Sequence, residues 1–390
     1  MRVIIIGNGV AGITAAETVR KNNSECEILI LSADKFPYYS RPRLIEYLGG
    51  KISVRQLIIH GNEWYEGKNI KIKICALVKK IDCKNNTITT AEGLELNYDY
   101  LVIASGAVPF VPDFPGTDAE GVFTLRSIED ADAIMTYAKG KKKAAILGGG
   151  LLGIEAAISM ISLVTEVTVI ETFDRLLQRQ LDVEGAQMLK NMLEAKGLKF
   201  LIGKKTEKII KKENGLGLIF KDGTELDTEV MLVSAGIRPA VTLAKEAGLE
   251  VNKGIVVDDF MRTAIANVFA CGDVAEHKGK LYGIWPVAKD QGYFCGTNVT
   301  GQGVSYPGSF VSTRLKVAGI EVASLGNIEE EDGVEIITKK DEPAGIYKKL
   351  FLKENKLIGA ILLGDAAAGA KLQGFIKSQE DMTFLKSQLI

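Results

Sequence analysis

Two glycine-rich stretches of the sequence could hold the phosphates of dinucleotides. Both have the spacing G-x-G-x-x-G, and the glycines are Gly7, Gly9 and Gly12 in GNGVAG, and Gly148, Gly150 and Gly153 in GGGLLG. In such a motif the first glycine allows a tight turn from strand to helix, the second lets the backbone approach a pyrophosphate, and the third allows close helix–strand packing. The pyrophosphate then lies at the helix N-terminus, where free N–H groups and the helix dipole attract it.

A dinucleotide site also needs a carboxylate about 20 residues further on to bind a ribose hydroxyl. In the second motif Glu171, at the end of VTVIE, has this position and would repel a 2′-phosphate, which favours NADH over NADPH, although it could be a surface acid. After the first motif the strand ends at Ser32, and the nearest acid is Asp34, which could reach the ribose or be a solvated loop charge. Two motifs imply two dinucleotides, and redox enzymes commonly pair a flavin with a nicotinamide.

The motifs must lie on strand–turn–helix–strand repeats, and the apolar pattern predicts two of them. The predicted elements are strand 3–6, helix 11–21 and strand 27–31 in the first repeat, and in the second a strand from 144 and the strand that ends at 171. Apolar segments over 99–107 and 228–236 predict further strands, and the segment 267–276 predicts a strand followed by a turn. From about residue 304 the pattern changes to alternating, strand-like segments followed by a short amphipathic tail.

The composition excludes several classes of protein. The 390 residues are 46% hydrophobic and 25% charged with a net charge of −1, so nothing global indicates nucleic acid or an anionic membrane as partner. No apolar run reaches the roughly 20 residues of a membrane span, and a strand that starts at Arg2 leaves no room for a signal peptide. His60 and His277 lack the spacing of metal ligands. We therefore expect a soluble, cytoplasmic protein without a metal.

With both motifs placed, the segments DYLVIASGAVP, SAGIRP and VFACGDVAE complete a resemblance to the FAD-dependent pyridine nucleotide oxidoreductases, over residues 1–303. Within this family, YYSRPRL resembles a segment of NADH:rubredoxin oxidoreductases. The tail GAILLGDAAAGAKLQGFIKSQED is similar to the end of the flavin portion of nitrite reductase large subunits. The resemblance implies FAD at the first repeat and NADH at the second.

The resemblance also implies a set of FAD contacts. It places the ribityl chain at Asp273 and the isoalloxazine near Trp285, whose helix would stabilise negative charge on the reduced flavin. The implied FAD-binding residues are Gly7, Gly9, Ala11, Gly12, Asp34, Arg41, Pro42, Val78, Ala104, Ser105, Gly106, Arg126, Asp273 and Trp285. Trp285 could instead be a core aromatic residue, and Arg126 a solvated arginine.

A second set of contacts is implied for NADH. These residues are Gly148, Gly150, Gly153, Glu155, Glu171 and Gly236, with Glu155 near the reacting ring. A buried, unpaired Glu155 would cost several kcal/mol, so we expect it to be functional or paired. The chain departs from its relatives at Ile45-Glu46, where they often carry Ser-His or Ser-Lys. An acid near a flavin would lower its potential.

The cysteines provide no relay for electrons. A disulfide reductase needs two thiols beside the flavin, but the sequence contains neither C-x-x-C nor C-x4-C, and the segment FPYYSRPRLIE has no cysteine. Cys26 and Cys75 are predicted to be small apolar residues in strands. We therefore expect hydride transfer from NADH to FAD, and then single-electron transfer to a small iron protein, with rubredoxin as first candidate and ferredoxin as second.

Three other functions explain fewer of these sequence features. One is an NADH oxidase or peroxidase that reduces oxygen or peroxide at the flavin. Another is a flavin subunit that hands electrons to a separate catalytic subunit, as in a nitrite-reductase-type or ferredoxin-reductase system. The last is a nucleotide-binding or redox-sensing protein without catalysis, which the intact glycines of both motifs and Glu171 disfavour.

The expected fold is α/β, with two Rossmann-like dinucleotide-binding domains of the glutathione-reductase type and a small α+β C-terminal domain. The predicted segments are 1–108 and 237–303 for the FAD-binding domain, 109–236 for the NAD-binding domain, and 304–390 for a C-terminal interface domain. The last of these is expected to cap the flavin domain and to help form the face on which the electron carrier docks.

Overall fold

A computed structural model describes residues 1–309 and 313–383, which form two compact units. The first compact unit comprises Met1–Leu44, Ile52–Pro109 and Ile237–Ser309. The second comprises Ile45–Lys51, Phe110–Gly236 and the described residues beyond 309. The chain therefore passes twice from the first unit to the second and back, once for only seven residues, before it ends in the second unit.

The bounds of the helices and strands follow in chain order. Up to residue 109 they are β1 (Arg2–Ile6), α1 (Val10–Asn22), β2 (Glu27–Leu31), a 3₁₀ turn (Arg41–Arg43), α2 (Leu44–Leu48), α3 (Val54–Leu57), α4 (Asn62–Gly67), β3 (Lys71–Lys73), β4 (Val78–Asp82), β5 (Thr87–Thr90), β6 (Glu95–Asn97), β7 (Tyr100–Ile103) and β8 (Ala107–Pro109). From 110 to 236 they are β9 (Val122–Phe123), α5 (Ile128–Tyr137), β10 (Lys143–Leu147), α6 (Leu151–Met160), β11 (Glu166–Glu171), α7 (Val183–Glu194), β12 (Leu198–Ile202), β13 (Thr206–Lys212), β14 (Gly215–Phe220), β15 (Glu225–Thr228) and β16 (Val230–Val233). Then come β17 (Ile237–Pro239), α8 (Thr242–Glu246), β18 (Ile255–Val257), β19 (Val268–Ala270), β20 (Ala275–His277) and α9 (Trp285–Val299). The last are β21 (Thr313–Val317), β22 (Ile320–Gly326), β23 (Val334–Asp341), β24 (Ile346–Lys353), β25 (Lys356–Leu363) and α10 (Gly369–Ser378).

Each compact unit contains one five-stranded parallel sheet. The strand order is β19-β7-β1-β2-β3 in the first and β12-β11-β10-β16-β9 in the second. The strand before each glycine motif, β1 or β10, lies inside its sheet, and its buried aliphatic residues fit a strand covered on both faces. Ligands of such sheets bind outside the carboxyl ends of the strands, where both motifs lie. The predicted α/β fold with two Rossmann-like domains is confirmed.

The C-terminal region forms an antiparallel sheet in the order β21-β22-β25-β24-β23. Alternate residues of its central strands point to opposite faces. Leu350 and Leu362 pack in one hydrophobic cluster with Leu372 of α10, while Tyr347 and Phe351 share another with residues of β10, α6 and α7. The described part of this region therefore packs within the second unit, and its expected role as a cap on the flavin domain stays a prediction.

The segment before this sheet belongs to the first compact unit as far as Ser309. Tyr306 anchors it, because its amide donates to the carbonyl of Asp259 at 2.6 Å and its hydroxyl bonds Ser309 Oγ at 2.8 Å. The ring of Tyr306 also packs against Phe294 of α9. The predicted boundary near 303 stays a prediction, and these contacts suggest a slightly later one.

The sequence overestimated the length of some strands. The predicted strand 99–107 is two strands, β7 and β8, separated by a turn in which Gly106 has a φ of +71°. In the segment 267–276 the predicted strand and turn are present as β19 and the turn after it, and β20 begins at Ala275. Cys75 was wrongly placed in a strand, since it is exposed, with a φ of +54°, between β3 and β4. The end of the predicted tail, 384–390, lies outside the described residues.

None of the helices in the described residues combines the length and apolar character needed to cross a membrane. No group of three or more His, Cys, Asp or Glu side chains is placed to hold a metal ion in this part of the chain.

Candidate dinucleotide-binding sites

The first glycine motif forms a turn that only glycine allows. Gly7 has a φ of +112°, and a Cβ there would lie 2.1 Å from the carbonyl oxygen of Ala104. A Cβ on Gly12 would lie 2.1 Å from the carbonyl oxygen of Gly7. Gly9 is the N-cap residue of α1, so the free amides of this helix point away from the end of the parallel sheet. This cradle fits a pyrophosphate at the first motif.

Arg41 brings a positive charge to the same turn. Its Nη1 lies 3.5 Å from the position of a Cβ on Gly9, and its Nη2 donates to Asp34 Oδ2 at 2.8 Å. The Nε atom of Arg41 is buried and has no hydrogen-bond partner in the described protein. An incompletely paired guanidinium beside a phosphate-binding turn fits a polyanionic ligand. Asp34 is therefore an ion-paired residue, which excludes the solvated loop charge; its contact with the ribose stays a prediction.

A buried chain of hydrogen bonds supports this turn, and no sequence motif predicts it. The hydroxyl of Tyr65 donates to Asn8 Oδ1 at 3.0 Å and accepts from the amide of Tyr38 at 3.0 Å. Asn8 is the polar residue between the first two glycines of the motif, and it is 8% exposed. These hydrogen bonds link the turn to the segment that carries Arg41.

Thirteen of the fourteen predicted FAD contacts lie in the first compact unit. The exception is Arg126, which lies in the second unit just before α5. Ser105 Oγ donates to the carbonyl of Ala240 at 3.3 Å, and Val78 is buried at the start of β4. Asp273 follows the amide of Gly272, which donates to Gln291 Oε1 of α9 at 2.9 Å.

Trp285 is the first residue of α9 and is 41% exposed. This exposure contradicts the alternative of a core aromatic residue. Its indole hydrogen-bonds the hydroxyl of Tyr38, and Lys289 lies 5.8 Å from its ring centroid. A half-exposed indole at a helix N-terminus suits a surface where a flat ligand meets the solvent.

The second glycine motif has the same local geometry. Gly148 has a φ of +125°, and a Cβ there would lie 2.3 Å from the carbonyl oxygen of Ser234. A Cβ on Gly153 would lie 2.0 Å from the carbonyl oxygen of Gly148. Gly150 is the N-cap residue of α6. Gly236 has a φ of +107° and accepts from the amide of Phe110 at 2.8 Å. The second cradle therefore also fits a pyrophosphate.

Glu171 lies at the end of β11 as predicted from the sequence. Its carboxylate accepts from the amides of Gly149 at 2.7 Å and Phe173 at 2.8 Å, and the residue is only 8% exposed. The two backbone bonds fix the carboxylate beside the phosphate-binding turn, and its remaining lone pairs can accept from a ribose diol. The alternative of an ordinary surface acid does not fit these contacts.

Glu155 lies one turn into α6 and is half-buried. Burial and the neighbouring carboxylate of Glu46 raise the pKa of Glu155 to about 7, while Lys51 acts in the opposite direction. The sequence suggested Glu46 as an acid near the flavin. The structure places Glu46 in the second compact unit, beside Glu155, and its effect on the flavin stays a prediction.

All five cysteines are free thiols within the described residues. Burial raises the pKa of Cys26, Cys83 and Cys295, so these thiols are protonated at neutral pH. Cys271 is also buried, and Cys75 is far in sequence from either motif. The two cradles can hold two dinucleotides, and redox chemistry between bound cofactors suits such a site better than covalent chemistry on these thiols.

Comparison with known proteins agrees with this arrangement. Residues 1–292 match the family described as pyridine nucleotide-disulphide oxidoreductase, and residues 312–380 match the rubredoxin NAD+ reductase C-terminal domain. The chain is 38% identical to nitrite reductase [NAD(P)H] of Bacillus subtilis, over 98% of this chain and 48% of that protein. It thus spans about half the length of that relative.

Two further relatives match most of their own length. The chain is 33% identical to NADH-rubredoxin oxidoreductase of Clostridium acetobutylicum over 99% of this chain and 97% of that protein, and the crystal structure of that enzyme superposes with a TM-score of 0.83. The NAD-dependent persulfide reductase of A. fulgidus superposes with a TM-score of 0.89 at 31% identity, over 98% of this chain and 77% of that one. The chain therefore belongs to the pyridine nucleotide-disulphide oxidoreductase family, whose members use FAD and NADH.

Proposed function

We propose that the protein is an NADH-dependent FAD oxidoreductase that passes electrons singly to a small iron carrier, with rubredoxin as first candidate and ferredoxin as second. The observation that carries this proposal is the match of residues 312–380 to the C-terminal domain of rubredoxin NAD+ reductases. The likeness to the full length of NADH-rubredoxin oxidoreductase supports it. The predicted cytoplasmic location stays a prediction.

The bound cofactors would supply hydride transfer from nicotinamide C4 to flavin N5, followed by outward single-electron transfer. The residues of the chain bind the two cofactors and orient their rings. Arg41 and the free amides of α1 would hold the FAD pyrophosphate, Asp273 the ribityl chain, and α6 with Glu171 the NADH. Alignment of the two rings matters more here than a protein acid or base.

We also propose that no redox-active disulfide takes part. The segment 36–46 contains no cysteine, and the chain has no C-x-x-C or C-x4-C pair. Three of the five thiols have a raised pKa because they are buried, which disfavours the thiolate that attacks a disulfide or a persulfide. This distinguishes the proposed reaction from that of a disulfide reductase.

A second candidate is a flavin subunit that hands electrons to a separate catalytic protein. The 38% identity to nitrite reductase [NAD(P)H] of Bacillus subtilis, over 48% of that protein, favours it. An NADH oxidase that reduces oxygen at the flavin is the remaining alternative that the sequence pattern allows.

Anaerobic stopped-flow mixing separates these candidates. We expect NADH to bleach the flavin absorbance of the purified protein, and oxidised rubredoxin added next to be reduced rapidly. If the flavin bleaches but rubredoxin stays oxidised, while oxygen restores the flavin absorbance quickly, the carrier assignment is wrong and an oxidase is supported. A flavin that NADH does not bleach would contradict both.

Replacement of Glu171 tests the choice of nicotinamide cofactor. In Glu171→Gln the side chain loses its charge and keeps a carbonyl oxygen for only one of the two amides, while its NH2 group faces the other, so we expect the Kd for NADH to rise roughly tenfold. The Kd for NADPH should change less, because the repulsion of its 2′-phosphate is removed. Saturation of the rate of flavin reduction gives both constants.

Glu194→Gln is the matched control, because Glu194 pairs with Lys190 on an exposed part of α7. It should leave both constants unchanged. Equal weakening of NADH and NADPH in Glu171→Gln would mean that Glu171 only supports the glycine turn and does not select the cofactor.

A further inference from the structure

The short segment Ile45–Lys51 packs on helix α6 within the second compact unit. Ser159 Oγ of α6 donates to the carbonyl of Ile45 at 2.8 Å, and a Cβ on Gly49 would lie 3.2 Å from the same hydroxyl. Leu48 is fully buried in one cluster with apolar residues of α6. These contacts fix which face of α6 meets α2.

The same face brings two carboxyl groups together. Glu155 lies one turn before Ser159, so both side chains lie on one side of α6. Glu46 follows Ile45 in α2 and acts directly on Glu155. Since Glu155 is half-buried and faces a like charge, its pKa is raised to about 7, with burial as the larger cause and Glu46 as the second. Lys51, in the turn after α2, opposes both effects.

On the other elements that pack on α6, the charged side chains that the structure describes are engaged elsewhere or exposed. These elements are β10, β11 and β21. Glu166 pairs with Lys199 at 2.7 Å, and the carboxylate of Glu171 accepts from two backbone amides. Lys143 and Lys316 are exposed. Glu46 and Lys51 are therefore the charges whose removal should move the titration of Glu155.

We infer that the proton on Glu155 controls the affinity of the protein for NADH. Glu155 lies about 7.5 Å along the helix axis from Gly150, the N-cap residue of α6. When Glu155 is neutral, the helix terminus attracts the pyrophosphate of NADH without opposition. When Glu155 loses its proton, its negative charge opposes the two negative charges of the pyrophosphate. NADH binding therefore weakens as pH rises through the neutral range.

This inference rests on the proposed placement of NADH at the second glycine motif. Glu155 is a positioning residue in it: no proton is transferred to or from the substrate, and only the charge beside the binding site changes. Burial and Glu46 together set the pH at which that change occurs, because the carboxylate of Glu46 adds to the effect of burial on the pKa of Glu155.

The test is the Kd for NADH as a function of pH, from the saturation of the flavin-reduction rate in anaerobic stopped flow. In the unmodified protein we expect the Kd to rise roughly three- to tenfold between about pH 6 and about pH 8.5. Glu155→Gln should keep the tighter value at every pH. Glu46→Gln should move the rise to lower pH, and Lys51→Met to higher pH.

Glu166→Gln, which removes a carboxylate on the neighbouring strand β11, should leave the profile where it is. The inference is overturned if Glu155→Gln keeps the pH-dependent rise, or if Glu46→Gln and Lys51→Met do not shift it in opposite directions while both proteins retain flavin. Rubredoxin reduction is measured in the same mixtures. Its absence would contradict the proposed carrier without changing the NADH profile, so the two failures can be told apart.

Discussion

Gly292→Ala should strongly destabilise the protein and cause it to lose FAD. Helices α1 and α9 cross closely, and a Cβ on Gly292 would lie 2.4 Å from the carbonyl oxygen of Ala11. One turn further along α9, a Cβ on Gly296 would lie 2.5 Å from the carbonyl oxygen of Ala15. Because the opposing atoms belong to the backbone, no side-chain rotation can relieve the clash, and the two helices must separate.

Separation of these helices would disturb two parts of the predicted FAD site. Helix α1 begins at the glycine turn that would hold the pyrophosphate, and α9 carries Gln291, which fixes the amide of Gly272. Overpacking in a dense core typically costs 1–3 kcal/mol. The cost of a clash between the added Cβ and a backbone oxygen should lie near the upper end of this range. We therefore expect Gly292→Ala to lower the free energy of unfolding by about 3 kcal/mol.

Gly374→Ala is the matched control, because Gly374 is a helical glycine in α10 whose added Cβ would meet nothing within 4 Å. It should be neutral or stabilising by up to about 1 kcal/mol, since alanine favours the helix. Urea unfolding followed by circular dichroism gives the stabilities, and flavin absorbance after gel filtration gives the FAD content. Equal behaviour of the two variants would contradict the packing argument.

The close approach of α1 and α9 could not be predicted from the sequence. PVAKDQGYFCG predicts a helix, but a glycine within it is equally compatible with an open surface, as Gly374 shows. What distinguishes Gly292 is the carbonyl of Ala11, about 280 residues earlier in the chain. A single sequence contains no information on which helix face a distant segment will cover.

Local patterns, by contrast, were sufficient for the fold. The glycine motifs, the apolar strands before them and the acid at Glu171 can be recognised within segments of about 30 residues, and the α/β class, the family and both cofactors were confirmed. The pairs Asp34–Arg41 and Glu46–Glu155 depend on side chains that meet only after folding. The assignment of individual residues to FAD or NADH stays a prediction.

The packing of the C-terminal sheet could not be predicted from the sequence either. Its alternating pattern was visible in the sequence, but alternation does not say which partner covers each face. Tyr347 and Phe351 belong to the core shared with the second nucleotide-binding region, and Lys349 lies between them in β24. A lysine on that face needs a buried acid, and the acid comes from Asp182, more than 160 residues earlier.

Lys349→Met should be the second strongly destabilising change. Lys349 is 8% exposed, and its Nζ donates to Asp182 Oδ2 at 2.7 Å and to Glu330 Oε1 at 2.6 Å. Asp182 also accepts from the hydroxyl of Tyr347 at 2.6 Å and caps α7 through the amide of Gly185. Removing one partner leaves the other charge poorly solvated, so we expect a loss of roughly 3 kcal/mol in the free energy of unfolding.

The pH dependence of this loss identifies its cause. Burial alone would raise the pKa of Asp182, but the bonds from Lys349, Tyr347 and the amide of Gly185 hold it below the usual value. A carboxylate with a lowered pKa stabilises the fold above its unfolded pKa, and this contribution is lost as pH falls through the folded pKa. The difference between Lys349→Met and the unmodified protein should therefore be largest near neutral pH and shrink below about pH 4.

Lys340→Met provides the comparison, because Lys340 pairs with Glu184 at 2.9 Å and Glu342 at 2.6 Å at the exposed edge of the same sheet. Surface pairs contribute little, so this variant should stay within about 0.5 kcal/mol of the unmodified protein. If urea unfolding at several pH values shows the two variants equally stable, or a loss in Lys349→Met that does not change with pH, the charge pair is not what holds the sheet to its neighbour. In that case the apolar contacts of Tyr347 and Phe351 must do so alone.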